Sequence, residues 1–353
     1  VAAVGKAAGA MMLGAHDVLG AAMERALVIT KDGHVLPELV PLGAELYESA
    51  HPMPDERSLQ AGERLLRWVE ELPPHVAPLF LISGGSSSLV EVLEPGTSFT
   101  DLERFTAEGL AAGLAIGELN ARRVQHSLIK GGRLTARLNG RPARALFISD
   151  VPGDDPAVIG SGLLGPAVGG VDNVERTVVA SIDHAVKAVT DAATEIGLAA
   201  EPSPRRFEGD VMRLAVRFSH ELHLSPVEVR VWGGESTVRL PEQPGRGGRN
   251  QQLALAVARL IAGHPDLLLL AAGTDGTDGV TADAGALVDA ETCARLTLAG
   301  VDADSALRSA DSATALAASG DLVHTGPTGT NVGDLVVGLK LSLEAARDLR
   351  WRQ

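Results

Sequence analysis

One cysteine, Cys293, stands in a chain of 353 residues, so no intrachain disulfide can form and a reducing compartment is expected. Its flanks, DAETCARLTL, read as a helix, which makes a buried structural thiol the expectation rather than a nucleophile. Aromatic residues are scarce at 3%, while Ala, Gly, Leu and Val abound, a mixture suited to helices packed closely on both faces of a parallel sheet. No apolar run approaches the roughly 18 residues that a membrane span needs. Basic residues are outnumbered, and the net charge of −14 argues against nucleic acid or an anionic membrane as partner. An anionic small molecule must then be held by a few local cations. Two phosphate-binding signatures are also missing: GxxxxGK[ST], and a GxGxxG that opens a helix ahead of an acidic residue about 20 positions on. The first residues, VAAVGKAAGAMM, lack a signal-peptide n-region and an initiator Met, and read as opening inside a strand with a preceding piece absent. A cytoplasmic location is expected, and a homodimer stays open.

What is present is a repeated alternation of short β-type runs, glycine-rich joints and helical patterns. ALVIT (26–30), LFLIS (79–83), ALFIS (145–149) and TVVAS (177–181) are predicted strands, with helices over Glu56–Glu71 and about Asp101–Ala121. This is the grammar of an α/β protein with an open, doubly wound, Rossmann-like parallel sheet. A second series begins at VEVRVWGGESTVRL (227–240), which predicts strand, turn and strand, and continues through strand LLLLAA (267–272). Two domains are expected, a larger one over 1–222 and a smaller α/β one over 223–353.

Polar, glycine-rich loops follow the apolar runs, and each is a candidate binding element. Only five lysines face 26 arginines, and two of the five, Lys6 and Lys130, sit beside glycines in GK and KGG turns. An ammonium beside bare backbone amides is a phosphate or carboxylate receptor. The Ser83-Gly84-Gly85-Ser86-Ser87 loop could cradle an anion with its N–H groups and hydroxyls, and Gly131 and Gly132 extend the Lys130 turn. SDVPGDDP places Asp150, Asp154 and Asp155 at the carboxyl end of a strand, where carboxylates suit Mg²⁺. In GRGGRNQQ, Arg249 and Asn250 stand at a helix start, and Arg249 would present its guanidinium fork to an anion. Thr274, Asp275 and Asp278 lie in AAGTDGTDG; Gly326, Thr328, Gly329, Thr330 and Asn331 lie in TGPTGTN. Such loops after successive strands predict a site along the edges of two sheets facing each other across a cleft.

In order and over nearly the whole chain, these pieces resemble the MOFRL-type glycerate kinases, also called class II glycerate kinases or glycerate 2-kinases. The matching segments include VGKAAGAM (4–11), HPMPDERS (51–58), SGGSSSL (83–89), IKGGRL (129–134), SDVPGDDPAVIGSG (149–162), GGRNQQLAL (247–255), AAGTDGTDG (271–279) and TGPTGTNVGDL (325–335). The resemblance implies ATP-dependent, Mg²⁺-assisted phosphorylation of the 2-hydroxyl of D-glycerate. It carries over Lys6 and Arg249 as cationic groups at the reacting centre. Phosphoryl transfer rests on positioning and charge neutralisation, so Asp150 is assigned to the chemistry, and Asp154 and Asp278 to the metal. The remaining loop residues are assigned to glycerate and ATP. Gln125 stands where the family commonly has His, Ala112 where it has Ser, Leu163 in SGLLGP in place of S-G-P-T, and Ala310 in place of Asn. Two alternatives follow: a kinase of the same fold acting on another 2-hydroxy acid, and a nicotinamide-dependent hydroxypyruvate reductase. A binding protein without catalysis is a third.

Overall fold

The computed structural model describes residues 1–111 and 116–341 of the chain, so the Ala112 position lies outside the described residues. Two compact units divide it: residues 1–180 with 329–331, and residues 181–328 with those from 332 onward.

The first unit is built on six strands: β1 (Ala2–Val4), β2 (Leu27–Lys31), β3 (Glu45–Ser49), β4 (Leu79–Ile82), β5 (Ala143–Ile148) and β6 (Val174–Ala180). Their order is β3-β2-β1-β4-β5-β6, and every pairing is parallel. This is the doubly wound order predicted from the β-loop-α repeats. β1 and β4 lie side by side while their continuations wind outward in opposite directions, which opens a crevice at their carboxyl ends. Ala2, Val4, Leu27, Ile29, Phe80, Ile82, Ala145 and Phe147 fill the core on one face with Trp68 and Leu65; Ala3, Val28 and Leu81 pack with Met12 and Leu39 on the other. Strands buried on both faces must read as continuous apolar runs, which is why AAV and LFLI carry no alternation. Helix Glu56–Glu70 is set by Asp55, whose carboxylate accepts the Ser58 N–H while the Ser58 hydroxyl accepts the Asp55 N–H. The helix expected over about 101–121 is described over Phe99–Ala111 and Ile116–Gln125, and residues 112–115 lie outside the described residues.

The second unit carries β7 (Ala200–Pro202), β8 (Phe207–Asp210), β9 (Val229–Thr237), β10 (Leu267–Gly273), β11 (Gly285–Asp289), β12 (Leu322–Val323) and β13 (Asp334–Lys340). The order is β12-β11-β10-β13-β9-β7, with β8 also on β9; only β7 and β8 pair in parallel. The strand-turn-strand expected at 227–240 is one nine-residue strand that runs through Gly233 and Gly234 without turning. Close approach explains those glycines: a Cβ on Gly234 would lie 2.0 Å from the Phe207 carbonyl oxygen, and one on Gly233 would lie 2.5 Å from Ile182. Helix Arg249–Leu260 is buried along most of its length and packs with helix Val211–His223 in this unit's core. Cys293 lies at the start of helix Thr292–Leu298, partly buried against that core, and burial pushes its thiol up.

The units part after Ala180, upstream of the 222/223 boundary expected from the start of the second series. Helices Ile182–Glu195 and Val211–His223, with β7 and β8, pack on or pair with β9, so they belong to the second sheet's layer.

Candidate functional site

In the first unit, three loops, after β1, β4 and β5, leave the carboxyl edge beside the switch between β1 and β4. Lys6 follows β1, and its N–H donates to Gly84 O at 2.9 Å. Ser83 closes the other side of this junction: its N–H donates to Val4 O at 3.0 Å, and its Oγ accepts the Ala7 N–H at 3.0 Å. Ser83 is therefore a clamp between β1 and β4 rather than a free hydroxyl. The next two residues are different. Neither the Gly84 nor the Gly85 N–H has a hydrogen-bond partner among the described residues. With Gly85 at φ 85°, these two successive donors make backbone of the kind that can receive an anion. The Lys6 side chain, partly buried, has no ion-pair partner among the described residues and leans over Gly85.

Asp150, which follows β5, presses against Gly84: a Cβ there would lie 1.9 Å from Asp150 Oδ2. A side chain at Gly84 would have to displace the Asp150 carboxylate, which lies next to the N–H pair. Asp154 lies farther along the same loop in a left-handed conformation with φ 52°. Ser86 and Ser87 begin the short helix Ser86–Leu89. The Ser86 hydroxyl is buried without a partner, whereas Ser87 Oγ is 2.7 Å from Ser161 Oγ.

Lys130 is not the open turn ammonium that its glycines suggested. It is fully buried, and its Nζ is ion-paired with Glu91, itself fully buried. Burial pulls the Lys130 ammonium down to about 8, with Glu91 opposing and Arg123 reinforcing the shift. Arg123, also buried, donates to Ser87 O at 3.2 Å, so this cluster underlies the Ser86–Leu89 turn. Gly131 and Gly132 direct their N–H groups to Ser161 O and Gly162 O at 3.0 and 2.8 Å, which fixes the turn and leaves those donors unavailable to a ligand. Glu91 escaped sequence reasoning; the only hint was a lone carboxylate in the apolar run LVEVL.

In the second unit, Arg249 opens helix Arg249–Leu260 and is gripped by two carboxylates. Its Nε and Nη2 donate to Asp334 at 2.7 and 3.1 Å, and its Nη1 donates to Glu235 at 2.6 Å. Asn250 Nδ2 bridges Asp278 Oδ1 and Asp334 Oδ1 at 3.3 and 3.0 Å, and its own Oδ1 is buried without a partner. Asp278, assigned to the metal from sequence, caps this helix. Its two oxygens accept the Asn250 and Gln251 N–H groups at 3.1 and 2.8 Å. The helix N-terminus is a positive end, favourable to this anion and unfavourable to a cation beside it. Burial raises the Asp278 carboxyl to about 6, against the pull of those N–H groups.

Asp275 closes its own turn by accepting from Thr277 N–H and Oγ1, both at 3.0 Å. Thr274 Oγ1 donates to Gly333 O at 2.7 Å, and Thr328 Oγ1 donates to Thr274 O at 2.6 Å, so these hydroxyls tie two loops together. Gly326 turns the second loop with φ 69°, while Gly329, Thr330 and Asn331 fall within the first compact unit.

The departures separate by cause. Leu163 is fully buried in the first core, so it is a packing residue. Gln125 is exposed at the end of helix Ile116–Gln125. Ala310 is held at φ 53°, a conformation that Asn tolerates better than Ala. A cavity of about 1110 Å³ lies at the opposite, amino edge of the first sheet, lined among others by Val1, Trp68, Pro78 and Ala143. The chemistry-bearing groups and the switch point are at the carboxyl edge, and it is the carboxyl edge that we take as the site. Among the described residues, no cluster of three or more His, Cys, Asp or Glu is arranged to hold a metal, and no helix is long and apolar enough to cross a membrane.

Residues 1–194 match a family described as a domain of unknown function, DUF4147, and residues 228–334 match the MOFRL family. D-glycerate 2-kinase of Thermotoga maritima is 35% identical, over 96% of this chain and 89% of that protein. A protein of Agrobacterium vitis, provisionally named a hydroxypyruvate reductase, is 34% identical over 95% of this chain and 97% of its own length. The crystal structure of glycerate kinase from Thermotoga maritima superposes with a TM-score of 0.88 at 33% identity, covering 96% of this chain and 91% of that one.

Proposed function

The chain belongs to the family of glycerate kinases built from a DUF4147 domain and a MOFRL domain, and from that premise we propose that it transfers the γ-phosphoryl group of ATP to the 2-hydroxyl of D-glycerate. The observation that carries this reading lies at the β1/β4 switch: the Gly84 and Gly85 N–H groups and the Lys6 side chain packed on Gly85, all without a hydrogen-bond or ion-pair partner among the described residues. Phosphoryl transfer asks little covalent chemistry of a protein. Its needs are fixed donors for the charge on phosphate and carboxylate oxygens, and a geometry that brings hydroxyl and phosphorus together.

In this reading Lys6 and the Gly84–Gly85 amides neutralise ligand charge. Arg249, aimed by Asp334 and Glu235, supplies the second cationic group. Asp150 is the carboxylate best suited to Mg²⁺, because it adjoins Gly84 and Mg²⁺ favours one or two carboxylates completed by phosphate oxygens. Asp154, on the same loop, is a second candidate. Mg²⁺ bound there would neutralise charge on the phosphates, while Asp150 could also orient the acceptor hydroxyl. Asp275, engaged with Thr277, serves the shape of its loop.

The turn after β1 reads Gly5-Lys6-Ala7-Ala8-Gly9, with a lysine where a dinucleotide fingerprint needs glycine backbone, which favours a kinase over a nicotinamide enzyme. The deciding experiment follows Mg²⁺-dependent ADP release with D-glycerate and identifies the product by phosphorus NMR. The expected outcome is 2-phosphoglycerate, with Lys6→Ala and Arg249→Ala each lowering kcat/KM at least about 100-fold. NADH oxidation with hydroxypyruvate and no ADP release would overturn the reading. Turnover of another 2-hydroxy acid in place of D-glycerate would keep the kinase and move the substrate.

A further inference from the structure

The segment after β3, His51-Pro52-Met53-Pro54-Asp55, has no part in the chemistry described so far, yet it reaches the same carboxyl edge as Lys6. The point where a Cβ of Gly85 would stand is 3.0 Å from His51 Cδ2, 3.1 Å from His51 Nε2 and 3.1 Å from Lys6 Cγ. Imidazole edge and lysine stem thus converge on Gly85, the residue that carries the second of the two unpartnered N–H groups. The ring is half-buried, and neither nitrogen has a hydrogen-bond partner among the described residues. Burial first, then the charges of Lys6, Lys31 and His34, hold its pKa down at about 4, so the ring is neutral at physiological pH. A neutral imidazole has one N–H to donate and one lone pair to accept.

We propose that His51 is a ligand-contacting residue, donating a hydrogen bond from its neutral ring to a phosphate or carboxylate oxygen held over Gly84, Gly85 and Lys6. The proposal rests on the functional reading above, which it deepens by adding a specific donor to the anion site. A second cation there would add charge without direction. A neutral ring adds a directed donor beside a lysine whose charge is already present, and so selects the position of one oxygen.

The test uses the full-length protein labelled with ¹³C and ¹⁵N in histidine, with the His51 signals assigned by their loss in His51→Gln. ADP, D-glycerate and inorganic phosphate are titrated separately. The expected result is a saturable shift of the His51 ring signals with at least one of the three, and the ligand that produces it identifies the source of the oxygen. For that ligand, His51→Ala should weaken Kd about tenfold or more, and His51→Asn, which keeps a short donor, should weaken it less. Silence of the His51 signals with all three ligands would overturn the proposal, as would an unchanged Kd in folded His51→Ala. If His51→Ala fails to fold, the wild-type titration alone decides. A wild-type protein that shows the shift but releases no ADP with D-glycerate or any other 2-hydroxy acid would remove the kinase reading and keep His51. Turnover with silent His51 signals would do the reverse.

Discussion

Lys130 and Glu91 lie fully buried against each other, and at the scale of single residues this pair separates a structural role from a ligand-binding one. Removing one member of a buried ion pair leaves an uncompensated charge, whereas removing both can be nearly neutral. Lys130→Met is expected to destabilise the protein by about 3–5 kcal/mol in urea unfolding, with Lys130→Met/Glu91→Leu recovering most of that loss. Activity that returns together with stability in the double variant would show that the lysine holds the Ser86–Leu89 turn and does not bind substrate. Asp278 gives a pH-dependent counterpart. Its folded pKa of about 6 lies above the usual 3.8, so the folded state binds the extra proton and stability from this group falls as pH rises from about 4 through 6. Asp278→Asn lacks that dependence. The stability advantage of wild type over the variant should therefore shrink between pH 4 and pH 7, by up to about 3 kcal/mol. Ala310 at φ 53° is a simpler case: Ala310→Asn should raise stability by about 1 kcal/mol without changing kcat/KM.

At the scale of elements, the sequence was most informative where burial imposes one pattern. AAV, LVIT, LFLI and ALFI are apolar because both faces of the first sheet are covered, and they were legible for that reason. β3, β7, β8, β11 and β13 were missed, the first three because of their composition. ELYES carries two glutamates on a half-exposed edge, AEP contains a proline, and FEGD contains a glycine, so none resembles a buried strand. Glycine was read as a sign of turning, which holds at Gly85 and fails in β9. Gly234→Ala would drive a Cβ into the Phe207 carbonyl and disrupt the β8–β9 pairing. A loss of about 1–3 kcal/mol in unfolding experiments is expected, with protection of the Glu208 and Asp210 amides falling first in hydrogen exchange. The same limit applied to the site. Glycine-flanked polar loops singled out Lys6, Gly84, Gly85 and Asp150, which lie together at one sheet edge, because loop chemistry is local. The partners that decide what each charged group does are Glu91 for Lys130, and Asp334 with Glu235 for Arg249, and these are remote in sequence.

At the scale of the whole molecule, each compact unit owns a core, and the residues between 181 and 228 build the layer over β9. A fragment that begins at Ser181 should unfold cooperatively by circular dichroism. One that begins at His223 should not, because it lacks Phe207, Val211, Leu214 and Phe218 from that core. Equal cooperativity of the two fragments would return the boundary to the 222/223 position expected from the second strand series. The second sheet also governs how the protein behaves among its own copies. Among its described residues, one margin is a two-residue strand, β12, and the other is split into β7 and β8, with Pro202 ending the first piece and Ser203–Arg206 between them. A neighbouring chain searching for a long row of open amides and carbonyls to zip onto meets short, interrupted and proline-marked borders instead, so this half of the molecule is guarded against edge-to-edge aggregation in a crowded solution.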